Sequence, residues 1–349
     1  MQFGILAAVL FGISAPLSKL LLDGVDPIVL AGLLYLGAGF SLGVLFLLSR
    51  LLGYGKRETH LEKRDVPWLI GAIVSGGIVG PILLLLGLDR TPAATASLLL
   101  NFEVVATGFL AFALFGESVG RHAWWAIITV AIGGALLSPD PAGGWGISLG
   151  AVLVLGACLA WGFDNNFTGR ISLKDPKRIV AIKGIAAGAF SLMLAVSLGR
   201  PLPTLSRAIW ALALGTASYG ASIALFVQSL RRVGAARTGA LFGMAPFVGV
   251  ALSLLIFRQL PQWTFFLALP LMVAAALLLA REKHEHEHAH SRTIHAHGHR
   301  HDGHHQHHHE EDAEECQNHA HEHTHEDLIH SHPHLPDPHH RHQHDAIPK

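Results

Sequence analysis

A carboxylate in the middle of an apolar run is the first residue of this chain able to do chemistry. Glu103 lies within Leu88 to Glu117, LDRTPAATASLLLNFEVVATGFLAFALFGE, about eleven residues from either end of the hydrophobic stretch. As a helix at ~1.5 Å per residue, that is roughly 16 Å from each end, too far for the side chain to reach water. An acid at such a depth either faces a cavity, where it binds a cation or exchanges a proton, or stays protonated and bonds a neighbouring helix. Asn101, two positions earlier, falls on a different helical face. A second polar run, Asp164, Asn165 and Asn166, sits near the end of another apolar stretch. There a ligand contact, a gate and a helix end are all open. Lys19 has a stem long enough to carry its charge to an interface, so it serves either as an anchor or as a contact. Tyr219 and Ser222 are weaker lining candidates, because hydroxyls inside helical bundles commonly join helices.

The second chemistry-bearing stretch is the C-terminal tail. Of the 26 histidines, 24 lie in His284 to Lys349, together with 13 of the 25 acidic residues. His284, His286, His288 and His290 alternate with Glu and Ala, His304, His305, His307, His308 and His309 are clustered, and His319, His321, His323 and His325 alternate again. Imidazoles mixed with carboxylates suit Zn²⁺, Ni²⁺, Co²⁺ or Cu²⁺, and the irregular spacing names none of them. With few large apolar residues the tail has no core to bury, so disorder is expected without metal.

The elements that must position these residues follow from composition. At 51% hydrophobic and 14% charged, the chain is too apolar for an ordinary soluble domain. A bilayer core needs about 20 apolar residues of helix. Ten segments qualify, at roughly 3–22, 27–49, 66–87, 92–114, 119–138, 146–168, 178–198, 206–228, 235–257 and 262–280. The first has no basic region before it and no small-residue cleavage pattern after it, so it reads as a retained span. Residues 1–283 carry a net charge of +9 and the tail −9, counting His as neutral. Cys158 and Cys316 offer no disulfide framework. No phosphate-binding loop, nucleophile motif, metalloprotease helix or dinucleotide fingerprint is present, so an enzyme is not expected and no cofactor is required.

The chain repeats itself. Sliding Leu88–Glu117 by 142 positions onto Leu230–Gln259 matches Leu88, Arg90, Ala93, Ala94, Leu99, Leu110 and Phe115 with identical residues, and the same offset pairs Trp68 with Trp210. Two units at about 3–138 and 146–280, five spans each, follow. An odd number of spans inverts the second unit relative to the first, as in carriers that rock two halves around one site. Fifteen basic residues fall in the segments on the N-terminal side of the membrane and five on the other, so both termini are expected in the cytoplasm.

Two tandem five-helix units, the aromatic-Gly pairs Phe11-Gly12 and Trp161-Gly162, the Ala-rich entry to the fourth span and its Gly116-Glu117 exit resemble the drug/metabolite transporter superfamily, EamA type. The resemblance implies an all-α fold of ten transmembrane helices as two inverted repeats, and a cell (inner) membrane location. It further implies an exporter of a small metabolite or drug-like solute. Protons are the expected coupling ion, with Glu103, Asp164, Asn165, Lys19, Tyr219 and Ser222 the candidate substrate or coupling residues. The family's fourth helix often carries a proline where this chain has Asn101-Phe102-Glu103-Val104; the second unit keeps Pro246. The alternatives are a divalent-metal (Zn, Ni or Co) exporter loaded by the tail, and a membrane-anchored metal sensor or store of residues 284–349. A homodimer is compatible with the sequence, and nothing points to nucleic acid.

Overall fold

The computed structural model describes residues 1–52, 61–116, 120–138, 148–171, 174–233 and 235–280, with 285–290, 293–299, 319–325 and 328–333 of the tail. Every described element up to Ala280 is helical. Seven segments are long and apolar enough to cross a membrane: Gln2–Leu22, Pro27–Ser49, Lys63–Arg90, Ala93–Phe115, Leu149–Arg170, Pro176–Ser197 and Leu205–Ser229. Three shorter apolar helices, Arg121–Leu137, Ala245–Phe257 and Trp263–Leu278, fall where further spans were expected. Helices satisfy their own backbone groups, which is what an apolar solvent demands.

The first span is α1 (Gln2–Gly12) and α2 (Ser14–Leu22), separated at Ile13, and α3 (Pro27–Leu51) follows. The third comprises α4 (Val66–Ala72), a π-helical stretch at Ile73–Val79 and α5 (Gly80–Arg90). Next come α6 (Ala93–Leu99), α7 (Phe102–Phe115) and α8 (Arg121–Leu137), then α9 (Leu149–Arg170) and α10 (Pro176–Ser197). A second π-helical stretch, Thr216–Ala221, joins α11 (Leu205–Gly215) to α12 (Ser222–Val233), and α13 (Ala235–Phe242), α14 (Ala245–Phe257) and α15 (Trp263–Ala280) complete the bundle. Caps set several boundaries. The Asp175 carboxylate accepts from the Lys177 backbone N–H at 2.9 Å, filling an open donor at the start of α10. Gly116 (φ 67°) and Arg258 (φ 51°), 142 residues apart, close α7 and α14 in the left-handed conformation, the usual way to end a helix.

One expectation is corrected. The fourth span, read as continuous over 92–114, is interrupted at Leu100–Asn101 although it lacks the family's proline. Asn101 Nδ2 donates to Leu98 O at 2.9 Å and Cys158 Sγ lies 3.6 Å from Leu99 O. A side-chain amide competing for a carbonyl thus replaces the ladder that a proline would break. A second interruption, at Gly243–Met244 between α13 and α14, lies within one residue of the position that the 142-residue offset predicts.

Packing relies on small residues, because lipid removes the hydrophobic drive between helices. The most extensive contact is α3 against α10, followed by α8 on α15, α5 on α9 and α7 on α9. A Cβ built on Gly184 of α10 would lie 2.6 Å from the Gly39 Cα of α3. The aromatic-Gly pairs serve the same purpose: a Cβ on Gly12 would strike Ala245 O, and one on Gly162 would lie 3.0 Å from Ala106 C. Large side chains cover the outside instead, with Leu205 77%, Trp263 72% and Leu255 72% exposed, as a lipid-facing surface requires.

In the tail, β1 (Glu285–His290) pairs antiparallel with β4 (Leu328–Pro333) and β2 (Thr293–His299) with β3 (His319–His325). His-X-His alternation has the period of two that extended strands use, so pairing needs no apolar core. The strands take in His286, His288, His290, His319, His321, His323 and His325. The expected ligands His284, His304, His305, His307, His308 and His309 lie outside the described residues.

Candidate substrate and ion site

Two polar layers join helices from the two parts of the chain. In the first, Asn165 of α9 donates from Nδ2 to Glu103 Oε1 and to Thr107 Oγ1 of α7, each at 3.0 Å. Asn166 Nδ2 donates to Thr107 O at 3.1 Å and to Gly162 O at 2.8 Å. Glu103 is the second residue of α7, immediately after the break. The position matters because a helix N-terminus presents free N–H groups and favours negative charge. Glu103 is half-buried, Asn165 is exposed, and among the described residues the Glu103 carboxylate has no ion-pair partner.

The second layer starts from the preceding residue of α9, about 100° around the helix. Asp164 pairs through Oδ2 with Lys183 Nζ of α10, and Thr168 Oγ1 donates to Asp164 Oδ1 at 3.0 Å. Both charged side chains are enclosed, at 8% and 14% exposed. The carboxylate is seated against the first π-helical stretch, where a Cβ on Gly76 would collide with it. The Gly76 carbonyl accepts from Tyr35 Oη of α3 at 2.5 Å and from Trp161 Nε1 at 3.0 Å. The wide turn leaves this carbonyl available, and such turns recur at functional sites. Tyr219, in the second π-helical stretch, packs against Tyr35 with tilted rings whose centroids are 5.7 Å apart and meets Phe11 edge-on at 5.8 Å.

The two remaining candidates stand elsewhere. Lys19 Nζ donates to Leu88 O at 2.6 Å and Asp89 O at 2.9 Å, where it covers the C-terminal carbonyls of α5. Ser222 Oγ donates to Ala7 O at 2.9 Å, joining α12 to α1. Lys183, Tyr35, Trp161 and Gly76 were missed by sequence reasoning. Lys183 was legible as a cation well inside an otherwise apolar run, the same signal that identifies Glu103. The role of Gly76 depends on a π turn that no residue pattern announces.

The two ends of the bundle differ. At the end bearing the N-terminus, Lys174 Nζ contacts Glu62 Oε1 at 2.7 Å and Asp65 Oδ2 at 3.4 Å. The Lys174 ammonium holds the Glu62 carboxyl below the usual carboxylate range. Beside this cluster the Arg170 guanidinium lies 5.5 Å from the Trp68 ring and 4.9 Å from that of Phe115. At the opposite end a cavity of about 100 Å³ opens between Thr91, Pro92, Ser148, Ser253 and Phe257. Among the described residues the buried hydroxyls of Thr91 and Ser253 find no hydrogen-bond partner. The cavity stops short of the Glu103 layer, none of whose residues lines it. Among the described residues no group of three or more His, Cys, Asp or Glu is placed to hold a metal.

A bundle of membrane-crossing helices with charged layers enclosed between them defines a polytopic membrane protein of transporter type. The chain belongs to the EamA-like transporter family, which matches residues 1–138 and 148–281. An "Uncharacterized transporter" of Methanothermobacter thermautotrophicus is 28% identical over 273 residues, covering 73% of this chain and 78% of that one. A 66-residue stretch is 42% identical to the "Probable 4-amino-4-deoxy-L-arabinose-phosphoundecaprenol flippase subunit ArnE" of Pectobacterium atrosepticum, 19% of this chain and 58% of that protein. One solved crystal structure shares the fold, with a TM-score of 0.58 and 20% identity over 80% of this chain and 96% of that one.

Proposed function

We propose that the chain is a secondary transporter, not an enzyme, that exports a small metabolite or drug-like solute across the cell membrane and uses Glu103 as its proton- or cation-binding group. The observation that carries this is the Glu103–Asn165 contact, which sets between α7 and α9 a carboxylate with no ion pair among the described residues. An acid held there by a neutral amide is free to exchange its countercharge in each cycle. The ten-helix, inverted-repeat arrangement is part of the proposal. Support comes from matched features that recur within one residue of the 142-residue offset: the breaks at Leu100–Asn101 and Gly243–Met244, the two π-helical stretches, and the left-handed caps Gly116 and Arg258. The likeness to a flippase subunit supports transport; at 19% of the chain it does not extend that cargo to this protein. On this reading the termini are cytoplasmic and the cavity at Thr91 and Ser253 is the outer mouth.

The test is Glu103→Gln in cells overproducing the protein, screened against amines and drug-like solutes. Uphill movement should be lost while the protein remains folded and inserted; normal export by the variant would overturn the assignment. The tail is proposed to bind Zn²⁺, Ni²⁺, Co²⁺ or Cu²⁺, and its histidine content supports this. A metal exporter is the second reading, favoured only by that composition. Deleting 284–349 should leave solute export intact under the first reading and abolish metal resistance under the second.

A further inference from the structure

We propose that Lys183 is a positioning residue that neutralises Asp164, leaving Glu103 as the single carboxylate in the path that a proton or a cationic cargo can discharge. The inference rests on the role given to Glu103 above. It begins from the two acids, Asp164 on α9 and Glu103 held by the next residue of α9, Asn165, which stand in contrasting company. Both Asp164 oxygens are taken, Oδ2 by the Lys183 ammonium and Oδ1 by the Thr168 hydroxyl. The pair is enclosed on a third side by the backbone of Gly76, against which no side chain would fit. That backbone offers no alternative acceptor to Lys183, because the Gly76 carbonyl already accepts from Tyr35 and Trp161.

Two charges buried this way are stable only together. Removing one partner of a buried pair strands the other and is strongly destabilising, whereas replacing both by neutral groups is often tolerated. The pair is therefore electrically silent. Glu103 receives a hydrogen bond from the neutral amide of Asn165 and has no ion pair among the described residues. The other titratable groups facing this region are the phenols of Tyr35 and Tyr219 and the thiol of Cys158, neutral at ordinary pH. With both acids ionised, the two layers sum to one negative charge. One positive charge per cycle, a proton or a monovalent organic cation, discharges it.

The test needs no cargo. The full-length protein is purified in detergent, and the infrared carboxyl C=O band of buried acids is recorded as the sample is acidified. Glu103→Gln and Asp164→Asn differences assign the bands. The wild type should gain one such band, absent in Glu103→Gln and kept in Asp164→Asn. Lys183→Met should gain a second band, removed by adding Asp164→Asn. If Lys183→Met does not fold, the Asp164→Asn/Lys183→Met double variant should insert and show the wild-type single band, which is rescue by neutralisation. An Asp164 band in the wild type, a folded Lys183→Met without the second band, or a double variant that fails to fold would each overturn the proposal. Failure of the Glu103 assignment is read separately, as normal export by Glu103→Gln.

Discussion

Gly76 and Asp164 meet so closely that a Cβ on the glycine would overlap the carboxylate Oδ2, Cγ and Cβ. Gly76→Ala must therefore push the π-helical stretch off α9 and weaken the Tyr35 and Trp161 bonds to the Gly76 carbonyl. Overpacking of this kind costs about 1–3 kcal/mol, to be read as a lower thermal midpoint in detergent. Gly108→Ala is the control, because nothing lies within 4 Å of a Cβ there. Equal behaviour of the two variants would show that the contact does not limit stability.

Asn165→Ala removes the neutral donor on Glu103 without altering charge. A hydrogen bond to an ionised group contributes about 1.5–3 kcal/mol, so the transport rate should fall on the order of ten- to a hundredfold. Vesicle flux measurements of the exported solute check this. Asn165→Asp should be worse, since it sets a second carboxylate against the first.

The contact between Lys174 and Glu62 closes the N-terminal end of the bundle across 112 residues of sequence. Because Lys174 lowers the Glu62 pKa, the stabilisation is complete above the ordinary carboxylate pKa. It is lost as pH falls through the lowered value. Spin labels on the 61–65 and 176–180 segments should report a separation that grows on acidification below about pH 4. Glu62→Gln should remove most of that dependence.

Gly116 and Arg258 hold the same left-handed conformation with different costs. Gly116→Ala should destabilise by about 1 kcal/mol, and Arg258→Gly should stabilise by a similar amount, because only glycine adopts this conformation without strain. Thermal midpoints of the two variants in the same detergent would decide it.

The tail gives a further expected dependence on pH. The full chain should bind several Zn²⁺ or Ni²⁺ ions near neutral pH and release them as pH falls through about 6.5, where imidazole protonates. A chain ending before His284 should bind none of them. Calorimetry of the two proteins separates these outcomes.

Much of the bundle was legible because lipid imposes a crude rule: about 20 apolar residues, then charge. Helix interiors were not legible. The interruption before Glu103 comes from Asn101 bonding Leu98 O, a local choice that hydropathy does not register. Without the break Glu103 reads as mid-helix; with it, the residue stands at a helix start. Asn165 was legible as polar, but its reach to Glu103 depends on the Gly162 contact that lets α9 approach α7. Lys183 was hidden by the tally of loop charges used to orient the chain, which has no place for a cation inside a span. Ser222 and Lys19 looked like contacts for a ligand and are engaged with backbone carbonyls instead.

The wide turns at Ile73–Val79 and Thr216–Ala221 carry a mechanical consequence. Each winds one residue more per turn than the α ladder requires, a small store of slack in the thread. Taking up one residue of it would twist everything beyond by about 100° around the helix axis. The slack stands inside Lys63–Arg90 and Leu205–Ser229, the second stretch carrying Tyr219, whose ring lies 5.7 Å from that of Tyr35. A twist taken up at one turn would press on the other through those rings, gearing the two stretches as a pair of screws and not merely hinging them as two plates.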